Sequence, residues 1–258
     1  MMPASGSGMS ERTVAVAAVA PAPSIVHLRE VDSTQTRVFA LAAEGAADGT
    51  VVLADVQHAG RGRRGRTWTA APGESLLASI LCRPRLPIST LPLLSLTAAV
   101  AVAETLEDIG VSARIKWPND VLARGRKIAG ILLESRLGLE PVVAVGIGIN
   151  AHQRTFGGAL AGRATSIFLE TARPPEVREV LERLVARFQG WRGRLADEGF
   201  APVRERWRAL TSTLGTRVSI DGITGVARDL DADGALVLEA EGRVYLMVAG
   251  EMDDAARR

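Results

Sequence analysis

The sequence is poor in the side chains that bind metals or form disulfides. It has one cysteine, Cys82, and three histidines, His27, His58 and His152, among 258 residues. A single cysteine excludes a disulfide framework, and so few histidines and cysteines exclude a zinc-type ligand cluster, a usage that fits a reducing cytoplasm. Long apolar runs are missing too, since residues 93–102 are interrupted by polar side chains, so no bilayer-crossing segment and no membrane partner is expected. Residues 13–20 are small and apolar, but one arginine and one glutamate before them make a weak signal peptide. Residues 1–24, rich in Ala, Pro, Gly and Ser without a sustained period, are expected to be an unstructured leader. A leader of that length has no room for a DNA-binding domain, so no DNA partner is expected.

Lysine is scarce. Of 31 basic residues only Lys116 and Lys127 are lysine, and the other 29 are arginine. A coding bias toward arginine accounts for most of this. A compact ammonium on a flexible stem follows a reacting phosphate in a way that a planar guanidinium does not, which makes Lys127 the candidate for chemistry. The net charge of +2 gives only modest overall attraction to nucleic acid.

What is present is apolar content, 47% of the chain, enough for one main core and a smaller second one. Residues 25–31 and 50–57 read as strands around a helix that starts near Asp32, Ser33 and Thr34 and runs to about Ala43. Residues 75–82, 127–133 and 142–149 read as further strands, and 91–108 as a long helix. A third helix is expected after Pro174 and Pro175, with Val177, Val180, Leu181, Leu184, Val185 and Phe188 on one face. Beyond Leu214 the pattern changes to short strands at 217–220, 225–229, 235–239 and 243–248, separated by Asp-Gly and Gly turns, as in a small β barrel. The expected fold class is α+β. A mixed sheet with packed helices occupies residues 25–213, and a small barrel occupies 214–258.

Residues 60–66, Gly-Arg-Gly-Arg-Arg-Gly-Arg, follow directly on a predicted strand. Three glycines leave backbone amides open to close approach and four arginines add fixed positive charge, which suits a polyanion such as a nucleotide phosphate chain. An RNA-binding arginine-glycine patch and a solvated loop share this composition. Its setting inside a folded domain, next to Trp68, favours a site. The segment lacks the lysine and hydroxyl of a P-loop, and Gly146-Ile-Gly148-Ile-Asn150 lacks the third glycine and following helix of a dinucleotide fingerprint.

GRGRRGRTW, KWPNDV, RKIAGILLE and VGIGIN, in this order and spacing, resemble the biotin protein ligases. The resemblance runs from about Ile25 to the C-terminus and implies a catalytic domain like those of class II synthetases and lipoate ligases, followed by an SH3-like barrel. It implies that Ser33, Thr34, Gln35 and Gln57 contact the ureido ring of biotin, and that Arg61, Gly62 and Arg63 contact biotin and its adenylate. Arg66, Trp68, Asn119 and Asn150 would lie on the ATP and adenylate side. Asp120 would stand near the phosphates, where it helps place magnesium or orients an incoming amine. Helix capping is the plainer account of Ser33 to Gln35, core packing of Trp68, and a held turn of Asp120. The implied substrates are biotin and ATP with Mg2+, and the implied partner is a biotin carboxyl carrier protein. The implied catalytic residues are Lys127, Arg63 and Asp120, and Lys127 is implied to contact biotin as well. A loop at 60–66 that folds over the bound ligand would explain its glycines, the sequence leaves open whether it is ordered without ligand, and the family's common dimerisation leaves a homodimer possible. The rival readings are a lipoate or octanoate ligase or transferase of the same fold and, from another class, an RNA-binding protein.

Overall fold

The computed structural model describes residues 24–250 and 252–254, so the leader expected at 1–24 lies outside the described residues except for Ser24. The chain runs β1 (Ile25–Val31), α1 (Thr34–Ala43), β2 (Val51–Gln57), β3 (Ser75–Cys82), α2 (Leu93–Asp108), β4 (Ala113–Lys116), β5 (Asp120–Ala123), β6 (Arg126–Arg136) and β7 (Val142–Asn150). There follow α3 (Ile167–Thr171), α4 (Val177–Glu198), α5 (Ala201–Leu210), β8 (Arg217–Ile220), β9 (Ile223–Leu230), β10 (Leu236–Ala240), β11 (Arg243–Met247) and β12 (Met252–Asp254).

Strands β1 to β7 form one mixed sheet in the order β1-β2-β3-β7-β6-β5-β4. Only β1 and β2 are parallel. β3, entirely buried, holds the centre beside β7. Successive side chains of a strand point to opposite faces, and here the two faces do different things. Leu76, Ala78 and Ile80 of β3 and Val143, Val145, Ile147 and Ile149 of β7 join the main core with α2. On the other face Leu81 and Ala144 pack under Val38 and Phe39 of α1.

Helix α2 is covered on nearly all sides, by the sheet below and by α4 and α5 above. With the turn before it, Ile88–Asp108 is long and apolar enough to cross a bilayer by length and composition, which corrects the expectation that no segment is. In this structure most of it is buried protein core. One charged side chain on it is also buried: Glu104 accepts hydrogen bonds from Trp191 Nε1 (2.8 Å) and Arg187 Nη1 (3.3 Å) of α4 and from Arg206 Nε (2.7 Å) of α5. It joins the three helices.

Two short strands were not anticipated, because Lys-Trp-Pro-Asn-Asp was read as a motif and not as the turn between β4 and β5. α5, only 10 residues long and rich in charge, was not anticipated either. Strands β8 to β12 form a five-stranded antiparallel sheet, ordered β11-β10-β9-β8-β12, consistent with the expected SH3-like unit. Its hairpins turn at Asp221-Gly222 and Glu241-Gly242, where both central residues have positive φ (46° and 89°; 50° and 71°), the conformation that matches strand twist in two-residue turns. The segment between the two sheets is stitched to β4, since Thr213 Oγ1 accepts from Trp117 N and Thr211 Oγ1 donates to Ile115 O.

Removing Glu104 takes the acceptor from Trp191 Nε1, while the partly exposed Arg187 and Arg206 keep Asp108 and Glu107 as partners, so Glu104→Ala should lower stability by about 1–2 kcal/mol. Urea unfolding reads this directly. A loss within about 0.5 kcal/mol, the size of an ordinary surface change, would show that the cluster does not hold the helices together.

Candidate active site

The sheet face that carries α1 is only partly covered by it. Beyond α1 the floor of β6 and β7 is made of Gly130, Gly146 and Gly148, with Gly130 directly opposite Gly148 in the ladder. These positions have no room for a side chain. A methyl group on Gly146 would run into the Gln35 amide, one on Gly148 would sit 2.6 Å from the Trp68 ring, and one on Gly130 would lie 3.0 Å from Trp68 and 3.1 Å from Lys127 Cε. The glycines therefore form part of the floor of a cavity of about 1000 Å³, and the side chains lying over them come from α1, from the segment after β2 and from the start of β6.

At one end, Ser33, Thr34 and Gln35 are each 3% exposed. Ser33 makes no side-chain cap to α1. The first free amide of the helix is taken by Gln57 instead, whose Oε1 accepts from Thr34 N (2.8 Å) and Thr34 Oγ1 (3.0 Å), while Thr34 Oγ1 also meets Ser79 Oγ at 2.7 Å. Gln35 Nε2 donates to Leu132 O at 2.7 Å, which leaves Gln35 Oε1 buried and without a partner. An orphaned buried acceptor costs about 1–3 kcal/mol, so it marks a place for a donor from outside.

Along one side runs the arginine loop. It is a closed hairpin, a point the sequence left open: Trp68 N donates to Gly60 O (3.0 Å), Gly62 N to Arg66 O (2.7 Å), and Arg61 bridges to Thr67. Arg64 and Gly65, with φ of 54° and 72°, make its tip. Gly60 is required there, because a side chain would strike the Trp68 carbonyl. The guanidiniums are fixed to three different elements: Arg61 to Glu134 of β6 (2.7 Å), Arg63 to Asn119 (3.0 Å), and Arg64 to Asp221 in the β8–β9 turn (2.7 Å). Burial and then the neighbouring Arg64 charge lower the Arg63 pKa, and Asp120 opposes them. Arg66 also lines the cavity. Because these side chains are committed to protein partners inside a fold, the loop does not resemble a solvated RNA-binding tail.

Lys127 enters from the start of β6, where its backbone is pinned by Lys127 N to Arg163 O and Thr165 N to Lys127 O. Its ammonium lies 2.6 Å from Asp120 Oδ1 and 5.7 Å from the Trp68 ring centre. Asn119 is held by Nδ2 to Ile131 O (2.6 Å) and offers its Oδ1 to Arg63. Asn150 Nδ2 donates to Thr165 O (2.9 Å) and, more weakly, to Lys127 O (3.5 Å), which ties the end of β7 to the loop before α3.

Residues 28–150 match the model of the biotin/lipoate A/B protein ligase family. The biotin–[acetyl-CoA-carboxylase] ligase of Paracoccus denitrificans is 37% identical over 238 residues, covering 87% of this chain and 98% of that protein. The chain belongs to this family. The corresponding ligase of Mycobacterium tuberculosis is 36% identical over 86% of each chain. Among solved structures, biotin protein ligase from Aquifex aeolicus in complex with biotin and ATP superposes with a TM-score of 0.79 at 32% identity, over 89% of this chain and 97% of that one.

Every residue singled out on the resemblance to this ligase family lines the one cavity: Ser33, Thr34, Gln35, Gln57, Arg61, Gly62, Arg63, Arg66, Trp68, Asn119, Asp120, Lys127 and Asn150. Their local roles differ from those a motif suggests. Asn119 holds Arg63, and Asn150 spends its donors on backbone carbonyls. Asp120 is the ion-pair partner of Lys127. His58 pairs with Glu30 on the exposed edge of the sheet. The sequence reading missed Glu134 and Asp221 as anchors of the loop, Ser79 beside Thr34, and the three floor glycines. Alternating Gly146 and Gly148 inside an apolar strand carried that last signal, since period-two spacing puts both on one face.

The two carboxylate anchors, Glu134 and Asp221, make partly exposed ion pairs worth at most about 1 kcal/mol each, so loosening both should raise local opening up to about thirtyfold without global unfolding. Tryptic cleavage at residues 61–66 in a Glu134→Ala/Asp221→Ala protein is the measurement, with unchanged urea unfolding as control. Cleavage at the original rate would mean that the hairpin holds itself closed.

Proposed function

We propose that the protein is a biotin–protein ligase: it joins biotin to ATP as biotinyl-5'-AMP with release of pyrophosphate, then transfers the biotinyl group to a lysine of a biotin carboxyl carrier protein. The observation that carries this reading is the orphaned Gln35 Oε1, buried beside Thr34 and Gln57 at one end of a cavity whose other walls hold Lys127 and the arginine loop. A cyclic urea brings N–H donors and a carbonyl acceptor in one rigid plane, which suits an acceptor flanked by hydroxyls and amide groups. The ring sulfur and alkyl chain then lie over the glycine floor, and the carboxylate extends toward Lys127. We assign the chemistry to residues 25–213 and the β8–β12 sheet to a separate small domain from 214 onward.

In the first step the biotin carboxylate oxygen attacks the α-phosphorus, the bond to pyrophosphate breaks, and negative charge builds on the non-bridging oxygens. Lys127 and Arg63 are the cations that meet this charge, Arg63 held in place by Asn119 and Lys127 steered by Asp120. In the second step the carrier lysine attacks the acyl carbon of the mixed anhydride and AMP leaves with the bonding pair. Trp68 and the hairpin cover the anhydride and keep water from it. Magnesium would arrive on the ATP phosphates and neutralise them. Among the described residues no group of three His, Cys, Asp or Glu side chains is placed to hold an ion, which fits an ion carried by the nucleotide with Asp120 as its protein carboxylate.

Pyrophosphate release from Mg-ATP should depend on biotin and not on lipoate. Release with lipoate and none with biotin would replace this reading by the lipoate one. Lys127→Ala should slow biotin-dependent release about 100-fold while changing biotin affinity less than about tenfold, as for a cation that meets charge only in the transition state. An equal loss in both, read by calorimetry beside stopped-flow release, would make Lys127 a binding residue. Gly146→Ala, which displaces the Gln35 amide, should weaken biotin binding about tenfold or more and leave ATP binding alone. Unchanged biotin affinity would move the ureido site elsewhere.

A further inference from the structure

Lys127 reaches the cavity through an irregularity in the strand that carries it. Gly130 belongs to the cavity floor, so strict alternation along β6 would put residue 128 on that face and residue 127 in the core. The ladder between β5 and β6 is out of step at this point: Val121 pairs with Ala129 and Leu122 with Lys127, which leaves Ile128 as an extra residue. Ile128 and Ala129, neighbours in sequence, both lie in the main core. Lys127 is thereby turned to the cavity face, with its Nζ 3.2 Å from where a methyl group on Gly130 would stand. A bulge re-aims a side chain and disrupts the ladder locally, so the strand has to be held from outside it.

The hold comes from segment 163–165 and, behind it, Glu170. The segment lies beside Lys127 as a single parallel rung, with Lys127 N donating to Arg163 O (2.8 Å) and Thr165 N to Lys127 O (2.9 Å). Glu170 sits on α3, which is fixed to the end of β7 by Phe168 N donating to Ala151 O at 2.8 Å. Its side chain is only 4% exposed. Oε1 accepts from Thr165 Oγ1 (2.6 Å) on one side of the rung and from Arg126 Nη2 (2.9 Å) on the other, and Oε2 pairs with Arg124 Nε (3.2 Å) in the β5–β6 turn. Arg124 and Gly125, with φ of 48° and 75°, make that turn tight, and both arginines reach one carboxylate. Glu170 does not line the cavity, so any effect on chemistry passes through Lys127. We propose that Glu170 is a positioning residue: it closes a clamp around the Lys127 backbone and so aims the ammonium at the charge that develops in adenylate formation. The chemical half of this assignment rests on the ligase reading. Asp120 steers the ammonium from within the cavity, and the Glu170 clamp fixes the stem on which it swings.

The experiment compares Glu170→Ala, Lys127→Ala and the double variant in biotin-dependent pyrophosphate release, with a biotin titration beside it. Glu170→Ala should slow release about tenfold or more while changing biotin affinity less than about threefold, because a small displacement of a reacting group is enough for such a loss. In the Lys127→Ala background the same change should cost less than about twofold, since the group it positions is gone. Glu170→Gln keeps an oxygen for Thr165 and Arg126 and should return most of the rate. A second readout needs no activity. The chain has two lysines, so reductive methylation with isotope-labelled formaldehyde, which keeps their charge, gives each its own NMR signal, and Glu170→Ala should shift that of Lys127 and not that of Lys116. Should Glu170→Ala fail to fold, Thr165→Val, nearly the same shape at a fully buried position, opens the clamp from its other end and should give the same pattern. Equal slowing with and without Lys127, or an unmoved Lys127 signal, overturns the assignment and leaves Glu170 as a support of the fold alone. The two readings fail separately. A Lys127 signal that depends on Glu170 in a protein without biotin-stimulated release would sink the ligase reading and keep the clamp, and release that ignores Glu170 would do the reverse.

Discussion

The whole site depends on the absence of three side chains. Gly130, Gly146 and Gly148 clear part of one face of the β6–β7 ladder of side chains, while Val143, Val145, Ile147 and Ile149 build a tight core on the opposite face. A sheet with one face sealed by α2 and the other only partly covered by α1 is a floor on which a ligand can lie close to backbone. The groups that lie over the glycines are delivered from around them: Gln35 from α1, Trp68 from the hairpin after β2, Lys127 from the start of β6.

Charge is the second constraint. Four arginines in seven residues repel one another, and burial adds a desolvation cost that shows in the lowered pKa of Arg63. The fold meets this by giving Arg61, Arg63 and Arg64 separate polar partners on separate elements, two of them carboxylates. The loop is thereby pre-organised as a wall and still reopens, because exposed ion pairs are individually weak. Asp221 ties the small C-terminal sheet into the same arrangement, so that sheet contributes a residue to the site's rim although it lies far away in sequence.

Among the orphaned buried polar side-chain atoms of the described residues are Gln35 Oε1 and Trp68 Nε1, both of residues lining this cavity. A folded chain tolerates such groups where a ligand satisfies them. Both lie over the glycine floor, where the proposed acyl adenylate would rest.

The four motifs, their order and the two lysines were legible in the sequence because they are local: composition and period carry them, and they fixed the fold class, the strand-helix pattern around Ser33 and the change to short strands after Leu214. The short strands β4 and β5, helix α5 and the membrane-like composition of α2 were not, since four-residue strands and buried helices are defined by what packs on them. The same holds for roles. A sequence shows an asparagine or an aspartate; only the tertiary structure shows that Asn119 and Asn150 are bound to backbone carbonyls, that Asp120 faces Lys127, and that Gln57 caps the helix Ser33 was expected to cap. Thr34 and Gln57 lie 23 positions apart and Arg64 and Asp221 157, and which donors and acceptors remain unspent is decided only when such distant pairs have formed.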